Sequence, residues 1–566
     1  MKKLLFLTLT LASAFSGFSQ VNAGNFTGNI ESTFQYLNTD TLIDATQPAS
    51  KGLLNSYMNV FYTQGNFKAG MRMESYLPRI QGYPSTFDGT GIGMRYVGYG
   101  NDFIDVTLGS IYEQFGAGLS LRAYENMGLG YDSQLDGVRL IVRPKKGLVF
   151  KGVYGYQRYA FLEGRIVHSA GITRGFDGEM HLNEVIKKLA DKKLDITIGG
   201  SFVSKYQNDD NTDLILPENV GCYGGRVKLR YGKFVLDGEY VFKGQDPSQD
   251  NGYNYNTGHA AIANFGYSQK GLGILFSAKS VDNMSYRSDR TKQLQNVIIN
   301  YLPSMNKTHT YNLVASLYPY ATQPVGETAF QAEVMYTFKK GSKLGGKYGM
   351  SINGNVSIAM QPMRHTSSIN PLDSTGVTYT SGLFDMSDSL YWRDINFNIT
   401  RKFNKKLNAI FSYYNIVLNN DVATVTKEKG MIKSNIFVLE LGYKFENKQS
   451  IRAEFQTLFV NRRDSLGHEV GFSEGTPVDK GDWATISLEY TINSHIFVSV
   501  MDQYNFGNPK LDHRAHHPYV TLGYIHEATR LTLSYGRQRA GLFCVGGVCR
   551  PVPASNGLTF SFTHSF

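Results

Sequence analysis

From Phe26 onward, apolar side chains recur at every second position, with polar or charged residues between them. Arg226, Lys228 and Arg230 alternate with Val227, Leu229 and Tyr231. Arg452, Glu454 and Gln456 alternate with Ile451, Ala453, Phe455 and Phe459, and Phe26, Ile30, Phe34 and Tyr36 share one parity near the start. Side chains of period two belong to extended strands whose two faces meet different surroundings. Soluble sandwiches and membrane barrels both satisfy that pattern. Helical membrane proteins do not, and after the first 20 residues no apolar run is long enough to cross a bilayer as a helix.

The connections choose between the two architectures. Tight turns are expected at 64–66, 99–102, 144–147, 231–233, 268–271, 403–406, 446–449 and 492–495. Long polar loops are expected at 38–51, 113–135, 163–175, 207–221, 243–258, 281–327, 362–391, 420–431, 461–480 and 539–555. Alternation of short turns with long loops is the pattern of transmembrane barrels, with the turns at the periplasmic end. We therefore expect an all-β, transmembrane antiparallel barrel of about 24 strands (range about 22 to 26). A barrel must close, because backbone groups facing hydrocarbon have no water to bond. Trp392 and Trp483 fall where long loops enter strands and are expected in an outer aromatic girdle.

Composition fits this picture. Gly (59), Tyr (37) and Phe (35) are plentiful and charged residues make up only 18%. The net charge of +10 gives no sign of nucleic-acid binding, since no basic stripe accompanies a binding module. Met1 to Gln20 reads as a secretory signal peptide: Lys2 and Lys3 lead a short apolar run that ends in small residues. The expected organisation is a signal peptide at 1–19 and a single barrel domain at 20–566. Phe26 already opens a strand, which leaves no plug domain ahead of the barrel and argues against a TonB-dependent transporter.

Leu558, Phe560, Phe562 and Phe566 share one parity in the last segment and form an expected outer-membrane assembly signal, interrupted by His564. Cys544 and Cys549 flank Val545-Gly546-Gly547-Val548, and in an oxidising compartment they are expected to pair as a disulfide, with free thiols as the alternative. Cys222 is expected to be a small buried residue.

With these segments placed, the chain resembles an uncharacterised family of outer-membrane barrels from Bacteroidota, a domain of unknown function. The resemblance is carried by Arg122-Ala123-Tyr124-Glu125-Asn126 with Leu129-Gly130-Tyr131-Asp132 and Asp136-Gly137-Val138-Arg139. It is carried also by Leu317-Tyr318-Pro319-Tyr320-Ala321-Thr322-Gln323 with Gly326-Glu327, and by Cys544 to Arg550 with Pro553-Ala554-Ser555-Asn556-Gly557. It implies fold and location and no activity.

Inward charge supplies the candidate site. Charge on the lipid face costs roughly 2–4 kcal/mol at the midplane, so Arg139, Arg143, Arg226, Lys228, Arg230, Arg452 and Glu454 are expected in the lumen as a filter. The bland alternative is a solvated, ion-paired wall. A wide lumen needs a constriction, and the segments 281–327, 362–391 and 113–135 are the candidates to fold inward. No cofactor and no metal site is expected. The histidine-rich Asp512 to His517 and the calcium-like Asp209, Asn211 and Asp213 are weak matches, because Leu214 and Val220 replace the glycine and glutamate that a calcium loop requires. Four Asp-Ser/Thr triplets, beginning at Asp40, Asp373, Asp388 and Asp464, resemble O-glycosylation acceptors. No Gly-x-Ser-x-Gly or His-Glu-x-x-His pattern occurs, and no enzymatic activity is expected. The leading functional expectation is a channel for small hydrophilic, anion-leaning solutes. The alternative is a non-enzymatic scaffold of a larger outer-membrane assembly for secretion or surface-protein export. Expected partners are outer-membrane lipid and lipopolysaccharide, the barrel-assembly machinery and other outer-membrane proteins.

Overall fold

The computed structural model describes residues 24–366, 378–423, 430–463, 481–508, 510–545 and 548–566. Residues 1–23, which include the expected signal peptide, lie outside the described residues. Twenty-four strands form one sheet in which every neighbouring pair is antiparallel and, except where the sheet closes, joins strands that follow one another in the wall. The sheet closes where Asn25–Asn38 pairs with Gly52–Gln64 on one side and with Ser555–Ser565 on the other. Phe566 completes the seam: its backbone N–H donates to Gly28 O and its carbonyl accepts from Gly28 N, each at 2.9 Å. A side chain at Gly28 would collide with the Phe566 ring, so the glycine makes room for the last aromatic.

The alternation read from the sequence sets the two faces. Phe202, Tyr223 and Phe242 stand side by side on three neighbouring strands and are all exposed on the outer wall. Arg226, Lys228 and Arg230 take the opposite parity and face the lumen, as do Arg452, Glu454 and Gln456. Leu558, Phe560 and Phe562 line the outer face beside Tyr535, Leu533 and Leu531. His564 continues that stripe, with ring centroids 6.4 Å from both Phe562 and Phe566 and Nδ1 2.9 Å from the Thr529 hydroxyl. Among the described residues no helix is long and apolar enough to cross a membrane.

Twenty-four strands leave 23 connections, 12 at one end of the barrel and 11 at the other. All eight expected tight turns fall at the second end, together with longer connections at 182–193 and 339–349 and a tight turn at 527–528. The first end holds the long loops, including 77–88 and 505–518, which the sequence reading passed over. One expected loop is absent. The segment 163–175 is a two-residue turn at Glu163 and Gly164, followed directly by the strand Arg165–His181. Both turn residues have positive φ (51° and 76°), as a tight hairpin whose twist matches its strands requires.

Candidate functional site

The lumen is filled by two of the protein's own long loops. The larger, 283–325, crosses the barrel interior. Tyr286, Ile299, Leu313, Val314, Leu317, Tyr318 and Tyr320 are buried in one cluster with Val203, Val220, Cys222, Val241, Tyr414, Ile436, Leu458 and Trp483 of the wall. Polar anchors fix it on both sides. The Tyr286 hydroxyl donates to Val203 O and Val220 O (3.3 and 3.0 Å), and burial raises its pKa well above the ordinary phenol value, which keeps the proton in place. Lys279 and Glu327, both fully buried, pair at 2.7 Å, and Lys279 also donates to Pro303 O. On the far side the His309 Nε2 meets Asp394 at 2.7 Å, Tyr311 donates to Glu440, and Gln456 accepts from Leu313 N. Deep burial of this many side chains, with their polar groups bonded, makes the loop part of the core rather than a floating constriction.

The smaller plug loop, 112–134, is held by a charge network. Arg158 pairs with Glu74 and Asp132, each at 2.8 Å, and Arg72 reaches Glu74, Asp132 and Glu125. Arg72, Glu74, Arg158 and Asp132 are buried, so their mutual pairing is what makes burial of the charges tolerable. Two of the expected inward segments thus fold inward. The third does not: 362–366 and 379–391 continue as paired strands of a tall hairpin, and the intervening 367–377 lies outside the described residues.

The aromatic girdle expectation is corrected for both tryptophans. Trp392 is buried and stacks on Tyr320 of the plug at 5.4 Å, and Trp483 is buried beside His517 and under the Arg539 guanidinium. Trp483 opens its strand as the sequence reading placed it, whereas Trp392 lies inside the strand Tyr379–Lys402, and the parity of both turns them to the lumen, where the plug supplies apolar surface.

The seven filter residues divide into paired and unpaired groups. Arg226 binds Asp177 and Glu179 (2.7 and 3.0 Å), Arg139 binds Asp105 at 2.8 Å and lies 3.6 Å from Glu113, and Arg452 binds Glu440 and Glu454. Among the described residues Arg143, Lys228 and Arg230 make no ion pair. Arg226, Lys228 and Arg230 do share one cavity of about 430 Å³, roofed by Gly116 and Ala117 of the smaller plug loop. Glu179, Asp195, Asp237 and Glu239 line it as well, so three cations face four carboxylates. The local field is therefore mixed, and a basic trio visible in one strand is answered by acids on its neighbours. Glu239 is occupied by the plug, accepting from Ala117 N at 2.6 Å.

The weaker motifs resolve into local structure. His516 stacks on Tyr504 and binds Asp502, while His517 is buried against Trp483, where burial lowers its pKa. Among the described residues no group of three or more metal-ligating side chains forms. Asp209 and Asn211 spend their oxygens on the backbone N–H groups of Asn211, Leu216, Asp213 and Leu214. Asp40 caps a short helical turn at Leu42 and binds Arg537; the triplets at Asp373 and Asp464 lie outside the described residues. Cys544 and Cys549 stand directly opposite each other in the backbone register of a two-stranded ladder, Gly541–Val545 with Val548–Val552, and their side chains lie outside the described residues. Cys222 is fully buried.

One protein family matches residues 1–566. The chain belongs to DUF6029, a family of unknown function. No protein with a curated description matches it. Among solved structures this DUF6029 barrel is similar to the P pilus usher PapC translocation pore, at 9% identity over 95% of this chain and 99% of that one, with a TM-score of 0.42. It is similar also to the outer membrane transporter YddB from Escherichia coli (9% identity, 97% and 81% covered, TM-score 0.40) and to the copper transporter OprC (10%, 97% and 83%, 0.41).

The residues that fix the DUF6029 plug were mostly missed in the sequence. Arg158, Asp132, Lys279, Glu327 and His309 find partners far along the chain, and only the fold brings those partners together. The available signal was parity: Lys279 sits on the lumen-facing positions of a strand whose opposite face carries Ile274 and Phe276.

Proposed function

We propose that the protein is an outer-membrane channel for small hydrophilic solutes, in the envelope of a bacterium of the Bacteroidota, and that this conformation is its closed state. The observation that supports this most is the pairing of an apolar exterior with a polar, partly water-exposed lumen inside a fully closed 24-stranded sheet. An exposed apolar belt of this extent belongs in lipid, where only a closed sheet satisfies every strand. Mixed charge around Arg226, Lys228 and Arg230 supports a general hydrophilic path better than an anion filter. Planar-bilayer recording of the purified protein tests the reading. Stable conductance with weak ion selectivity supports it, and a folded barrel that stays silent under all voltages sinks it.

The scaffold reading keeps one specific support, the cross-barrel apolar plug. A barrel sealed by a packed core serves an assembly without passing solute. Purification with a stoichiometric outer-membrane protein partner, alongside absent conductance, would select that reading.

A further inference from the structure

The positive charge of the chain is unevenly placed. Eleven connections join strands at the short-turn end. Seven of them follow one another round the wall: 146–147, 182–193, 232–233, 270–271, 339–349, 403–406 and 445–449. These seven hold fourteen lysines against three carboxylates, Glu184, Asp191 and Glu446. The other four, 65–66, 101–103, 492–495 and 527–528, lie together on the arc that contains the seam. They hold no lysine or arginine, only Asp102 and Glu527. The whole chain carries ten more cations than carboxylates, so this one crescent of connections matches the entire excess.

All fourteen lysines are exposed except Lys406, which is half-buried. Among the described residues, the ion pairs they make are those of Lys146 with Glu184 (3.3 Å) and Lys406 with Glu446 (2.7 Å). The strand ends beside the crescent add more of the same sign. Arg143, Lys145, Arg230, Arg401, Lys402 and Lys444 are exposed and make no ion pair among the described residues. Two of the expected filter cations, Arg143 and Arg230, thus belong to this end of the barrel. The carboxylates at the same level, Glu179 and Asp195, are held by Arg226 and His181. On the seam arc the strand ends carry Lys68, paired with Asp105, and the exposed Arg530.

Lipid headgroups do not account for a crescent. Exposed aromatics mark the membrane border on both arcs, at Tyr231, Phe234 and Phe403 beside the lysines and at Phe67, Phe103 and Tyr524 opposite them. Lipid surrounds the barrel evenly, and an answer to headgroups would run all the way round. Residue type points the same way. The seven connections contain no arginine, the side chain whose planar fork suits phosphate, and only lysine, a mobile point charge suited to carboxylates spaced along a chain. Eight of the lysines sit in the two longest connections, 182–193 and 339–349. Six strands lie between those two, which sets them roughly 30 Å apart along the wall.

We propose that this crescent is a docking surface for an acidic polypeptide, on the side that faces the periplasm in an outer-membrane barrel, with an extended acidic stretch of about ten residues or more bridging 182–193 and 339–349. Like charges left uncompensated repel one another and draw a partner of opposite sign, which speeds encounter and fixes its orientation. The surface is independent of whether the lumen conducts.

The test uses the whole barrel in nanodiscs of phosphatidylcholine, which leave both ends accessible. The probe is a fluorescent peptide of about 15 residues alternating glutamate with serine, and its control carries glutamine for glutamate. At about 150 mM salt the acidic peptide should bind and the control should not. Replacing all eight lysines of 182–193 and 339–349 by glutamine should weaken binding about tenfold or more. Failure of the acidic peptide to bind, or unchanged affinity in the eight-glutamine form, overturns the proposal. Mapping on the native lysines removes any dependence on how that form folds. With Cys544→Ser and Cys549→Ser, a photo-crosslinker is attached at Leu344→Cys or Asn447→Cys on the crescent, and at Asn66→Cys or Ser494→Cys on the seam arc. Capture of the peptide should be about tenfold higher at the first pair, and equal capture at all four sites overturns the crescent. The last arm replaces part of the phosphatidylcholine by phosphatidylglycerol. Peptide binding that persists supports a water-facing surface. Binding that drops to the level of the eight-glutamine form shows the lysines held by lipid headgroups and overturns the polypeptide partner.

Discussion

The wall under the plug and the wall at the seam are built from the same kind of strand, yet they hold the lumen in opposite ways. Under the plug, inward positions are buried valines, alanines and paired charges that bind 283–325 and 112–134 into a core. At the seam, inward hydroxyls and amides such as Thr33, Ser561, Thr532 and Asn59 stay unburied, beside the exposed charges of Glu31 and Arg530. Apolar burial and buried ion pairs fix one side for good, while the other offers surface without commitment. The contrast teaches that one stretch of a barrel wall can be built into a core while another, of the same strand type, is left polar and exposed.

Mutations can break this contrast in a graded way. Arg158→Ala leaves Arg72 alone to answer the buried Glu74 and Asp132 and is expected to cost about 3–5 kcal/mol, read as a lowered midpoint of heat-modifiable migration. Leu313→Ala hollows the plug where it is fully buried and is expected to cost about 2–4 kcal/mol in the same assay. Arg139→Gln breaks a partly exposed pair and is expected to change stability by no more than about 1 kcal/mol. Thr33→Val at the seam is expected to stay within about 0.5 kcal/mol; a cost matching Leu313→Ala would show the seam to be core and erase the comparison. A last, smallest test sits at the border between the two walls. Burial depresses the His517 pKa, so the folded state favours the neutral ring: its contribution is complete above the unfolded value of about 6.5 and is lost as pH falls below it. Proteolysis in 505–518 should quicken below that pH, and His517→Gln should remove the pH dependence.

Much of the architecture was readable because strand parity is a local property. Arg226, Lys228 and Arg230 faced the lumen as their alternation required, and the strand number and the eight tight turns followed from loop lengths. Trp392 and Trp483 show the limit: the strand start at Trp483 was legible, but which side carried apolar surface depended on a plug from elsewhere in the chain. Glu163-Gly164 shows another, since a two-residue turn at the long-loop end breaks the asymmetry used to find the loops. The filter was least legible. Arg226 looks unopposed in its own strand, and Asp177 and Glu179 become its partners only through the register of the one strand between them.

The plug loop 283–325 lies near the middle of the chain, with thirteen strands of the wall before it and eleven after. Its partners before it include Gln157, Val203, Val220 and Lys243, and those after it include Asp394, Glu440, Gln456 and Arg539. The loop therefore ties the wall that precedes it in the chain to the wall that follows it, as a spoke ties opposite sides of a rim. The two parts of the wall are thus joined twice, at their edges by the ladders Leu272–Asp282 with Gly326–Phe338 and Asn25–Asn38 with Ser555–Ser565, and again across the lumen by the loop itself.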